Sequence, residues 1–101
     1  MGVELSADNL VVRLRFVGGP ILPATNLCRT EYAGWARAAG DVLEVAVVLL
    51  PRTTPTTQTP FACAAIGAER SVRVMLDSPF SGTSAHDVPF GTTISIERPS
   101  G

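Results

Sequence analysis

Two cysteines, one histidine beside an aspartate, and a Tyr–Trp pair carry the chemistry available to this chain. Cys28 and Cys63 are its only cysteines, and neither has a second Cys or His two to four residues away, the spacing that zinc sites use. Neither has a histidine in a recognisable nucleophile signature, so no catalytic thiol is expected. What remains is a disulfide or two buried free thiols. A bridge closing a loop this long stabilises by roughly 4 kcal/mol on the chain-entropy model, a large share of a small domain's stability. The residues therefore predict a Cys28–Cys63 disulfide and, with it, an oxidising compartment.

His86 stands beside Asp87, with Ser78, Ser81 and Ser84 nearby, which invites a Ser/His/Asp reading. The stretch "GTSAH" at 82–86 fails the G-x-S-x-G elbow at its last position, and that motif needs a strand–turn–helix setting. On an extended chain, neighbouring side chains point to opposite faces, so His86 and Asp87 would not pair. Asp77, before Ser78–Pro79, is expected to cap a turn with its side chain. "VGGP" at 17–20 lacks the Lys and the following helix of a phosphate loop. Tyr32 and Trp35 are the candidate binding residues, an aromatic platform for sugar or peptide. If their segment is a strand they fall on opposite faces, and at most one is exposed. No catalytic residue, metal or cofactor is expected.

The elements that would position these residues read mainly as strands. "LVVRLRFV" at 10–17 alternates with period two, and "GGP" ends it. "VLEVAVVLL" at 42–50 is apolar on both faces except for Glu44, as a central strand covered on both sides would be. "SVRVML" at 71–76 places Val72, Val74 and Leu76 inward, and "TTISIE" at 92–97 does the same for Ile94 and Ile96. Residues 30–40, "TEYAGWARAAG", fit a helix capped by Thr30 and ended by Gly40. Periodicity alone slightly favours that helix, but the residues also fit a strand at 31–38 that turns through "AGD" into 42–50. The strand is preferred, because 42–50 needs ladder partners on both edges. The stretch after "DSPF" at 77–80 reads as turns, with a short strand near 85–88.

At 101 residues the chain is one domain on length. "PRTTPTTQTP" at 51–60 lies between the cysteines, so it reads as an internal loop and not a linker between units. Its prolines favour exposed, polyproline-like backbone. All eight basic residues are Arg and the net charge is −1, leaving no electrostatic footprint for nucleic acid or anionic lipid. No apolar run approaches the length of a membrane span. The N-terminal "MGVELSADN" lacks the regions of a signal peptide, so an exported protein would carry its signal upstream of this stretch. Gly2 and Ser6 match the myristoylation pattern only formally.

The ordered set "CRTEYAG", "GDVLEVAVVLLP", "PFACAAIGAERSVRVMLDSPFSG" and "AHDVPFG" resembles small two-cysteine domains of unassigned activity from secreted proteins and lipoproteins of actinobacteria. The resemblance spans roughly residues 28–91. Phe80 stands where that pattern has Leu, and the Arg expected shortly after it is missing. The resemblance implies a disulfide and export, favours a strand at 31–38, and supplies no catalytic residues.

Together these readings predict an all-β antiparallel sandwich of six or seven short strands with immunoglobulin-like packing and one disulfide. One helix at 31–39 in an α+β fold is the alternative. The expected role is a non-enzymatic, extracytoplasmic structural or protein-binding module of the cell envelope. The alternatives are a carbohydrate- or peptide-binding domain using Trp35, and a small hydrolase using His86. Expected partners are another envelope or extracellular protein or a cell-wall glycan, with no nucleic acid and no membrane insertion.

Overall fold

The computed structural model describes residues 1–19, 30–50 and 67–99. Cys28, Cys63 and the Pro/Thr segment lie outside the described residues, and so do the disulfide and loop expected there. The described residues form seven strands: β1 (Gly2–Leu5), β2 (Val11–Gly18), β3 (Tyr32–Ala39), β4 (Val42–Leu49), β5 (Ala68–Met75), β6 (Ser84–Asp87) and β7 (Thr92–Glu97). The alternating segments at 10–17, 42–50, 71–76 and 92–97 are strands. Segment 31–38 is also extended, which removes the helix alternative. β3 pairs antiparallel with β4, from Tyr32↔Leu49 to Ala39↔Val42. Gly40, the first of the two turn residues, takes the left-handed φ of 63° that two-residue hairpins place on glycine.

The pairing pattern corrects the expected antiparallel sandwich. The strand order is β3-β4-β6-β7-β1-β2-β5, and two of the pairs, β4/β6 and β1/β7, are parallel. Strand β7 joins the two halves: Thr92–Ser95 pair with β6, while Ile96 and Glu97 pair with β1. The outermost strands, β3 and β5, then come together, so this mixed sheet closes almost into a barrel. Side chains make that seam. A Cβ at Gly34 would lie 2.7 Å from Cγ2 of both Val72 and Val74, so only glycine lets β5 press this closely on β3. Alternation reveals which residues face inward, but it carries no information about strand direction. The parallel pairs arise because β1 slots beside the last strand and because residues 76–83 cross one end of the barrel before β6.

Inward positions supply the core: Val3 and Leu5, Val12 and Leu14, Leu43 and Val45, Phe80 and Ala85. Val72, Val74, Leu76, Ile94 and Ile96 pack against it, as their alternation predicts. β4 is hydrogen-bonded on both edges but not covered on both faces, since Val48 and Leu49 are exposed. The short strand β1 is missing from the sequence reading, although "GVEL" alternates between half-buried and buried residues.

Crossing residues 76–83 are tied to the start of β2. Leu76 N–H donates to Leu10 O (2.7 Å) and Phe80 N–H to Asn9 O (3.0 Å). The Phe80 ring fills the end of the barrel at 5% exposure. Gly82 makes room beside it, because a Cβ there would lie 2.5 Å from Asp41 O and 2.6 Å from Phe80 Cζ. The expected cap at Asp77 does not form: Asp77 is exposed and has no hydrogen bond among the described residues. The side-chain turn sits instead at Ser6–Leu10. There Ser6 Oγ donates to an Asp8 carboxylate oxygen, and that oxygen accepts from Leu10 N–H at 3.2 Å. Val11 N–H donates to Ser6 Oγ at 3.0 Å, and Asn9 takes a φ of 61°, a conformation Asn tolerates better than most residues. The Ser6 hydrogen bond is the main reason the Asp8 carboxyl is held below its ordinary range.

Candidate functional site

Strand geometry separates Tyr32 from Trp35. Gly34 and Ala36 face the interior with Tyr32, whereas Ala33, Trp35 and Arg37 face outward. Trp35 stands opposite Ala46 in the β3–β4 register and remains 43% exposed, while Ala46 is buried. Ala33 and Val48 form the next outward pair, and Val48 is exposed. Val88, also exposed, is held against β4 by its N–H bond to Val45 O (3.0 Å). An apolar strip therefore runs over the outside of the hairpin.

Charge on this strip is fixed locally. Arg37 Nη2 and Nε donate to Glu44 Oε1 at 2.6 and 3.0 Å, and the guanidinium carbon lies 5.6 Å from the Trp35 ring centroid. The arrangement satisfies Arg37 within the hairpin and seats its flat cation on the indole.

Tyr32 belongs to a different assembly, at the end of the barrel away from Phe80. Its ring meets Phe16 edge-on, with centroids 4.8 Å apart and planes at 71°, and the Arg70 guanidinium carbon lies 5.1 Å from its centroid. Gly19 N–H donates to the Tyr32 hydroxyl at 2.9 Å. Arg70 donates to Gly19 O and Thr30 O, both at 3.0 Å. The phenol is held below its ordinary value first by the Thr30 side-chain hydrogen bond, then by Gly19 N–H, with a smaller contribution from Arg70. These contacts fasten Tyr32 into the fold.

His86 and Asp87 are separated by the same alternation. The His86 backbone stands between Glu44 and Thr93 and its side chain is half-buried on the outer face, whereas Asp87 points inward and is 4% exposed. No hydrogen bond joins the two among the described residues. One Asp87 carboxylate oxygen, Oδ1, is buried without a partner. Ser84 shares the His86 face, and Ser78 and Ser81 lie in the crossing segment, so the structure assembles no triad from these residues. Among the described residues no group of three or more His, Cys, Asp or Glu side chains could hold a metal. No described helix is long and apolar enough to cross a membrane.

Sequence reasoning overlooked the arginines on the outer face of the other half of the sheet. Arg13 and Arg15 are visible there as the polar half of β2's alternation, but their partners are set by register and not by sequence proximity. No protein-family model, curated protein or solved structure matches this chain.

Proposed function

We propose that this domain is a non-enzymatic, extracytoplasmic module that binds an envelope protein through the outer face of the β3–β4 hairpin. The observation that carries this reading is Trp35: a large ring, partly exposed, on a strand paired along its length, flanked by the small or apolar side chains of Ala33, Ala46 and Val48. Rigid Trp anchors surrounded by small apolar residues are the usual energetic centres of protein interfaces. Because Arg37 is already satisfied by Glu44, the face presents mainly apolar area, suited to an apolar patch on a partner protein. A glycan platform would need an open indole face, and Arg37 lies over one face of this ring. The glycan reading is therefore second.

Export is supported by the ordered motifs that resemble actinobacterial secreted domains and by the proposed Cys28–Cys63 bond, which non-reducing mass spectrometry would read directly. Two free thiols would leave export resting on the resemblance alone.

The binding reading is tested by immobilising the protein and its Trp35→Ser variant against an envelope extract and, separately, against soluble wall-glycan fragments. A discrete envelope protein retained by the wild type and lost by the variant, with an unchanged melting temperature, is the expected result. Retention unaffected by Trp35→Ser would reject this face, and shifts with glycan alone would favour the second reading.

A further inference from the structure

The face of β7, β1, β2 and β5 away from the core carries one row of charge: Glu97, Glu4, Arg13 and Arg73 stand side by side in register on those four strands. Two acids are followed by two guanidiniums. Arg15 neutralises the acidic end. Its side chain lies over Gly2, where a Cβ would come within 3.1 Å of Nη2, and it reaches Glu97 at 2.9 Å and Glu4 at 3.2 Å. Arg13 is left with Glu4, already shared, at 3.7 Å. Arg73 has no ion pair or hydrogen bond among the described residues, although it stands directly opposite Arg13. Like charges so placed on antiparallel strands are destabilising, and the shared Glu4 at 3.7 Å from Arg13 is the one counter-charge this pair has among the described residues.

Beside the pair lies a groove of about 540 Å³ lined in part by Val11, Arg13, Arg73 and Arg98. In the β2–β5 register the next outward pair is Val11 and Met75, and Met75 is 72% exposed. Two planar forks of N–H donors, Arg73 with no acceptor among the described residues and Arg13 with only the shared Glu4 at 3.7 Å, therefore sit next to an apolar step. We propose that this groove binds a carboxylate joined to an apolar body, its two oxygens bridging Arg13 and Arg73 and its body lying on Val11 and running out of the groove toward the neighbouring Met75. Guanidinium forks match carboxylate geometry bidentately. Glu4 and Glu97, on the same wall, oppose a multiply charged anion and favour a single negative charge. A free organic acid and a peptide C-terminus both supply this chemistry. The site lies on the half of the sheet opposite Trp35 and does not depend on the role proposed for that residue.

The test follows the Arg side-chain Nε–H resonances of the ¹⁵N-labelled protein during titration with hexanoate, N-acetyl-leucine, N-acetyl-leucinamide and inorganic phosphate. Saturable shifts at Arg13 and Arg73 are expected with the two carboxylates, none with the amide, and weaker ones with phosphate. The tighter of the two carboxylates identifies the source. Arg73→Gln should weaken carboxylate binding about tenfold, as loss of a charge-assisted hydrogen bond predicts, without lowering the melting temperature. Arg37→Gln, on the other half of the sheet, should bind like the wild type. Unsaturable shifts spread over all arginines, phosphate binding tighter than hexanoate, or Arg73→Gln binding unchanged would each overturn the proposal.

Discussion

The two ends of β2 are fastened by the same device and filled by different chemistry. At its start, Arg98 from beyond β7 donates to Phe80 O and to the Asn9 side-chain oxygen, each at 3.0 Å. At its far end, Arg70 donates to Gly19 O and Thr30 O, again at 3.0 Å. In each case one guanidinium gathers oxygens from two segments distant in sequence, a geometry its fixed fork of donors suits. The aromatic ring beside it differs. Phe80 is buried and part of the core cluster, whereas Tyr32 is half-buried with its hydroxyl engaged by backbone and side-chain donors. One end is closed by removing carbon from water, the other by a polar network with a titratable group in it. The first contributes stability that depends little on conditions, and the second responds to pH.

The sharpest way to break this comparison is to truncate both rings. Phe80→Ala removes a buried ring from a packed end and should cost about 3–5 kcal/mol. Tyr32→Ala removes a half-exposed ring and should cost less than about 2 kcal/mol. Urea unfolding at constant m-value measures both. Equal losses would show that the two ends do not differ in this way.

Much of this fold was legible in the residues, because the signals were local. Period-two alternation marked β2, β5 and β7, and "AGD" after a small-residue strand marked the β3–β4 hairpin. What was not legible depends on contacts remote in sequence. The Asn9–Phe80–Arg98 closure joins three segments that no spacing rule connects. Arg98 meets the "DSPF" turn at Phe80 O from beyond β7. The parallel pairs follow from crossings over the barrel ends, which side-chain patterning does not encode. At the candidate sites, alternation correctly parted Tyr32 from Trp35. The Arg13–Arg73 apposition became visible only once the β2–β5 register was known.

The smaller expected effect lies at the Tyr32 end and is read by titration. Tyr32 is the only tyrosine in the chain, so phenolate absorbance reports one group. Its folded-state value lies below the ordinary value of about 10, chiefly through the Thr30 hydrogen bond and then Gly19 N–H. A depressed acid favours its charged form in the fold. Its contribution to stability is thus complete above the unfolded value and is lost as pH falls through the folded one. Stability gained from it grows as pH rises from the folded value to the unfolded one of about 10 and is retained above that. The wild-type midpoint should therefore fall below that of the urea-unfolded chain. Thr30→Val should raise it most and Arg70→Met less, in the order of the contributions to the shift. A wild-type midpoint at or above the unfolded one would mean that burial outweighs the donors, and that this end of the barrel behaves as the Phe80 end does.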